Sequence, residues 1–227
     1  MLVTGFPAGA FGTNCYVLAP GAGSECVVID PGQDAPGPLA DVLAEHRLKP
    51  VAVVLTHGHL DHAWSVVPVC SGYDIPAYIH PEDRAMLADP LSWHGEVIGA
   101  MIAGLSFAEP DELAELADGQ VLDLAGVMLT TRHAPGHTRG SVAFELTHPE
   151  APILLSGDLL FAGSIGRTDL PGGSHPQMLD SLARVCLPLA DETVVLSGHG
   201  PQTTIGRERA TNPYLREAAL APPRRGL

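Results

Sequence analysis

Lysine is almost absent from this chain: Lys49 is the only one in 227 residues. Lys and Arg together number 12 against 26 Asp and Glu, a formal net charge of −14. Nucleic-acid binding rests on cations that neutralise phosphates. Here the arginines are scattered and form no basic stripe, which excludes that class. No apolar run approaches the ~20 residues that cross a bilayer, which excludes a spanning helix. The start, Met1-Leu-Val-Thr-Gly-Phe6, lacks the basic opening and long apolar stretch of a signal peptide. Cysteine is sparse. Cys15, Cys26, Cys70 and Cys186 form no C-x-x-C pair and have apolar neighbours, so buried free thiols and a reducing cytoplasm are expected. Linkers, low-complexity stretches and short-period repeats are missing too. With 45% hydrophobic residues, the chain reads as one domain over 1–227, with 222–227 as a frayed tail.

What the chain does have is Thr56-His-Gly-His-Leu-Asp-His62, directly after the apolar run Val51–Leu55. Imidazole and carboxylate are the usual ligands of zinc, iron and manganese. His57 and His59 are two apart, so on an extended segment they point the same way and can grip one ion. Asp61 and His62 follow a turn, near the start of a helix read as Asp61 to about Val67, and can hold a second ion. Three further candidates sit among small residues at strand edges: His137 before Val142–Leu146, Asp158 after Ile153–Leu155, and His199 after Val194–Leu196. Small residues let backbone approach an ion closely.

The remaining pattern is mixed α/β. Strands are read at Asn14–Leu18 and Cys26–Ile29, joined by Gly21–Ser24, then at Val51–Leu55, Tyr78–Ile79, within Val121–Leu146, and at Ile153–Leu155 and Val194–Leu196. Helices are read at Leu39–Arg47, from Pro81 to about Leu87, at Pro176–Leu187, and with interruptions over 91–118. The acidic residues Glu109–Asp118 read as a solvated helix face. Trp93, His94 and Phe107 could line a pocket or simply pack under a surface helix. Asp30 either holds a metal-binding histidine or caps a turn. His133 reads as a non-ligand and His175 as a helix-start residue. His46, His80, His94 and His148 have no assigned partner.

These motifs resemble the metallo-β-lactamase-fold hydrolases, and within them the short form of the glyoxalase II (hydroxyacylglutathione hydrolase-like) branch. The likeness is carried by Thr56–His62, Pro135-Gly-His137, Gly157-Asp158, Gly198-His199 and Leu160–Gly173, with Asp30-Pro-Gly32 and Thr203-Thr-Ile-Gly206. It implies an αββα sandwich, two mixed β-sheets face to face with helices outside. It implies two divalent ions, zinc in the first instance with iron or manganese as alternatives. One would be held by His57, His59 and His137, the other by Asp61, His62 and His199, with Asp158 shared. Two such ions acidify a shared water, and Asp61 can orient it. The implied reaction is hydrolysis of a small-molecule thioester, such as S-lactoyl-glutathione or the ester of another carrier thiol.

One contrast and two departures shape that expectation. The β-lactamases of this fold tend to carry Cys where Asp158 stands, which argues against their activity. The chain stops at Leu227, short of the basic helical segment that clamps glutathione in long-form enzymes. Arg167-Thr-Asp169 stands where those enzymes place Lys and Tyr. Arg167 can contact substrate or brace its loop. Two other activities share much of the pattern. Persulfide dioxygenases use one iron on residues matching His57, His137 and Asp158, and lactone hydrolases use the same ligand set.

Overall fold

The computed structural model describes residues 1–94, 100, 102 and 104–220. One sheet runs in the order β1 (Leu2–Ala8), β2 (Thr13–Ala19), β3 (Glu25–Ile29), β4 (Lys49–Val54), β5 (Ala77–Ile79), β6 (Leu113–Glu115). Its first three strands are antiparallel, and β3 to β6 run parallel. The other sheet places β7 (Val121–Leu124), β8 (Val127–His133), β9 (Val142–Leu146), β10 (Ile153–Gly157), β11 (Val194–Ser197) and β12 (Thr203–Thr204) side by side in that order. There only β10 and β11 are parallel.

Alternation along the strands sorts side chains between the faces of each sheet. Val27, Ile29 and Val54 meet Leu129, Phe144 and Leu155 of the second sheet in a shared core. Ile29, Leu129, Phe144 and Leu155 are buried to 1% exposure or less. Each such side chain contributes roughly 1.5–3 kcal/mol of burial. The opposite face of the first sheet offers Cys26, Val28 and Val53. Leu39 and Leu43 of helix Pro36–His46 cover it, with Val69 and Cys70 of helix Val66–Tyr73. Behind the second sheet, Ala143, Leu154 and Val195 pack on Met178 and Leu182, and on Leu215 of helix Pro213–Leu220. Met178 belongs to helix His175–Ser181, which runs on as a π-helical turn at Leu182–Cys186. The result is the four-layered αββα sandwich that the motifs implied.

Several local readings change. The helix read as Asp61–Val67 is two helices, Leu60–Ala63 and Val66–Tyr73. Pro68 sits in the first turn of the second, where its missing N–H interrupts no helical bond. Part of the helical reading over 91–118 falls on 95–99, 101 and 103, outside the described residues. Within the rest, Leu113–Glu115 is a strand, because Leu113–Glu115 pair with Ala77–Ile79 at the sheet edge. Glu109 serves as the partner of Arg84, at 2.6 Å, and not as part of a solvated helix face. Strand β1 and the helices Ile205–Thr211 and Pro213–Leu220 were not read from the sequence. The tail 222–227 lies outside the described residues. Among the described residues, no helix is long and apolar enough to cross a membrane.

Candidate metal centre

The site is assembled where chain leaves the carboxyl ends of strands. Asp30 follows β3, the segment Thr56–His62 follows β4, His137 lies between β8 and β9, Asp158 follows β10 and His199 follows β11. All seven residues singled out as ligand candidates converge. Three overlapping groups keep their donor atoms within 4.8 Å of one another: His57, His59, His137; His57, His62, Asp158; and Asp61, His62, His199.

Hydrogen bonds fix which ring nitrogen His137, His62 and His57 turn to the centre. His137 Nδ1 donates to the Arg167 carbonyl oxygen at 2.7 Å, so its Nε2 faces inward. His62 Nδ1 donates to Asp30 Oδ2 at 2.9 Å. Thr56 Oγ1 donates to the same Oδ2 at 2.6 Å and receives His57 Nδ1 at 3.1 Å. Thr56 N completes the arrangement on Asp30 Oδ1 at 2.8 Å. Asp30, 2% exposed, therefore sets the orientation of His57 and His62 together, which decides between its two sequence readings.

Inside this frame the donors crowd. His59 Nδ1 is 2.8 Å from His137 Nε2, and His62 Nε2 is 3.3 Å from His199 Nε2. Asp158 reaches both halves, with Oδ1 3.3 Å from His62 Nε2 and Oδ2 3.4 Å from His137 Nε2. Asp61 Oδ2 lies 3.1 Å from His199 Nε2. Gly198 makes room: a Cβ there would lie 2.3 Å from Asp158 Oδ1 and 2.6 Å from His62 Cε1. Gly157 adopts φ +48°, a conformation that other residues seldom take.

The electrostatics match a cation cradle. Burial, then the neighbouring imidazoles, pushes His57 and His59 well below the usual histidine range, so both present lone pairs at neutral pH. Burial alone would raise the carboxyls of Asp61 and Asp158. The histidine charges, that of His62 first, outweigh it and keep both ionised. Burial opposes protonation of His62 and His199, yet their carboxylate partners win and raise both. His57 Nε2 and His59 Nε2 are buried without any hydrogen-bond partner. A polar atom left so costs about 1–3 kcal/mol. The neutral imidazoles of His57 and His59 and the ionised carboxylates of Asp61 and Asp158 are donors for divalent metal ions. A bound cation would displace the protons that His62 and His199 draw, so the residues fit a metal centre.

A cavity of about 260 Å³ opens onto this centre. Its walls beyond the candidate ligands are Phe11, Leu60, His94, Phe161, Arg167 and Leu170. Arg167 forks onto Asp169 at 2.7 and 2.8 Å on the exposed rim. His94, left unassigned from sequence, donates through Nδ1 to Pro90 O at 2.8 Å and accepts Leu60 N through Nε2 at 3.0 Å. Both its nitrogens are used in holding the start of the Leu60–Ala63 helix. Phe107 lines a separate cavity of about 320 Å³ and packs edge-on against Trp64. Trp93 lies instead beside Gly172. His133 stands outside the centre, stacked on His80 with ring centroids 4.2 Å apart, and His175 opens its helix, 3.5 Å from Glu217.

A sandwich of two mixed sheets with a histidine–aspartate cluster at its strand ends defines a class, and the comparisons agree with it. Residues 8–199 match the metallo-beta-lactamase superfamily, and the chain belongs to that superfamily. It is 52% identical over 95% of its length, and 99% of the other chain's, to an uncharacterized protein of Mycobacterium leprae. It is 32% identical to the hydroxyacylglutathione hydrolase GloC of Haemophilus influenzae, covering 92% of this chain and 95% of that one. Among solved structures, the BLEG-1 B3 metallo-beta-lactamase superposes with a TM-score of 0.82 at 39% identity, covering 94% of this chain and 99% of that one. TTHA1623 in a di-iron-bound form gives 0.75 at 36% identity, covering 93% and 99%.

Proposed function

We propose that this protein is a dinuclear metal-dependent hydrolase that cleaves a thioester. The observation that carries this reading is the convergence of seven donors in three overlapping groups at the mouth of a partly apolar cavity. In this reading His57, His59 and His137 hold one ion, and Asp61, His62 and His199 hold the other. Asp158, which reaches both halves, is shared. A bound ion pair lowers the pKa of water from about 15.7 towards about 7 and polarises a carbonyl.

The chain's own residues do the rest. Phe11, Leu60, Phe161 and Leu170 exclude water and seat the acyl group. Asp61 orients the attacking water. The water oxygen bonds to the carbonyl carbon, the C–S bond breaks, and the released proton ends on the thiolate sulfur, carried by Asp61 or by a second water. The products are a carboxylic acid and a free thiol. A thioester suits a site with no strong acid, because its leaving group needs little protonation.

The name of GloC points to hydroxyacyl-thiol esters as the substrate class. The cavity rim favours a carrier thiol without carboxylates, since Arg167, the one arginine lining it among the described residues, is already paired with Asp169. Four buried free thiols suit a reducing cytoplasm. Two observations favour rival readings. The 39% identity to a B3 metallo-beta-lactamase favours β-lactam hydrolysis. His57, His137 and Asp158 also leave a mononuclear iron dioxygenase open, and an ETHE1 from Myxococcus xanthus shares the fold with a TM-score of 0.74 at 22% identity. Metal analysis of protein purified without added metal is the test, followed by assays on S-lactoyl thiols, a lactone, a β-lactam and a thiol persulfide with oxygen monitored. Two ions per chain with thioester turnover are expected. One iron with oxygen uptake overturns the hydrolase.

A further inference from the structure

A buried carboxylate that ligates nothing sits just behind the centre. Asp83 ends the 3₁₀ turn Pro81–Asp83 after β5 and is 0% exposed. Its Oδ2 accepts Gly58 N at 3.0 Å and Thr138 Oγ1 at 2.6 Å, and its Oδ1 accepts Gly140 N at 2.7 Å. Gly58 lies between His57 and His59. Thr138 follows His137, and Gly140 is three residues past it. One carboxylate thus ties two segments about 80 positions apart, each bearing ligands of the same ion.

The contacts are tight as well as polar. A Cβ on Gly140 would come within 2.7 Å of Asp83 Cγ, and one on Gly58 within 2.6 Å of Asp83 O. All three partners are neutral donors, and among the described residues Asp83 has no ion-pair partner within 4.0 Å. Burying a carboxylate without a countercharge is costly. An apolar residue here would remove that cost but leave three donors unsatisfied and the two segments untied. Both oxygens are used: Oδ2 bridges the two segments by accepting from Gly58 N and Thr138 Oγ1, and Oδ1 holds the second through Gly140 N, which matches a clamp more closely than a filler.

We propose that Asp83 is the positioning residue of the first metal site: it clamps the His57–His59 segment to the His137 loop so that three imidazoles meet. The inference rests on the two-metal reading. Asp83→Asn keeps the shape but turns an NH₂ group towards at least one of the three donors, so the clamp loosens. Loss of such supporting bonds typically lowers metal affinity ~10–100-fold.

The test is a titration of metal-free protein with Zn²⁺ against a chromophoric chelator. Wild type is expected to bind two equivalents, and Asp83→Asn to weaken one of them by ~10–100-fold while leaving the other unchanged. On a His199→Ala background Asp83→Asn weakens the equivalent that remains, and on a His59→Ala background it changes nothing further. Unchanged affinity at both sites, or equal loss at both, overturns the assignment. Wild type that binds no metal overturns the two-metal reading itself, and the clamp with it. Should Asp83→Asn fail to fold by circular dichroism, Thr138→Val and Thr138→Ser carry the test. The serine is expected to retain the affinity that the valine loses, and equal affinities of the two overturn the proposal.

Discussion

His59 Nδ1 and His137 Nε2 lie 2.8 Å apart although 78 positions separate them in the chain. Two ring nitrogens that close share one proton at most in the metal-free state. A cation that draws on both lone pairs relieves the conflict, and binding it stabilises the folded chain. An ion present at about 1,000 times its Kd adds roughly 4 kcal/mol. For a chain of this size that corresponds to a rise in Tm of roughly 8–16 °C. Differential scanning calorimetry with Zn²⁺ and after chelation measures it. Identical melting in both states would contradict a metal centre.

Asp158 reaches both histidine groups, with Oδ1 towards His62 and Oδ2 towards His137. Asp158→Ala is expected to abolish turnover and reduce bound metal. Elemental analysis and the thioester assay check the two effects separately. Near-normal activity would count against sharing of Asp158 between ions.

Asp30 accepts from His62 and Thr56 on one oxygen. Asp30→Asn removes an acceptor and lets the His62 ring turn. Metal affinity is expected to fall ~10–100-fold, and stability by about 1–3 kcal/mol from the donor left unpaired. Chelator competition and urea denaturation report these. Wild-type affinity in the variant would show that the ring is held by packing alone.

Asp169 occupies the Arg167 guanidinium at the rim. Asp169→Asn frees that cation and removes an anion. The ratio of kcat/KM for S-lactoylglutathione to that for a carrier without carboxylates is expected to rise on the order of fivefold, the effect of one charge at about 4 Å in water. An unchanged ratio would place Arg167 as a brace of its loop.

The four thiols are buried, and burial pushes Cys26, Cys70 and Cys186 up to about 12. Cys15 is raised too, by burial and then by the charge of Asp30. None is ionised at pH 8, so none is expected to react with a thiol reagent in the native protein, and four react after denaturation. A rapid native reaction at any one of them would refute this.

Much of the centre was legible because its chemistry is local. His57, His59, Asp61 and His62 fall within six residues, and His137, Asp158 and His199 each sit among small residues at a strand edge. What escaped depends on distant pairing. Leu2–Ala8 contains Gly5 and Pro7 and shows no clean alternation, yet it forms a strand because it is an edge that only β2 pairs, where proline is tolerated. Leu113–Glu115 lies in an acidic stretch that reads as helix, and its neighbour in the sheet overrides that propensity. His94 was legible as a pocket residue and does line the cavity, but its bonding was not, because its partners, Pro90 O and Leu60 N, lie on two different segments. Asp83 gives no signal in sequence, since its role exists only once two glycine backbones come against it.

The cavity walls have a separate origin from most of the donors. Phe11 comes from the turn between β1 and β2 and His94 from the stretch after Pro90–Ser92, while Phe161, Arg167 and Leu170 come from the long excursion after β10. Replacing these segments would alter which molecule is admitted and leave the reactive apparatus standing. Within one scaffold, the choice of customer and the capacity for hydrolysis can drift apart over evolutionary time.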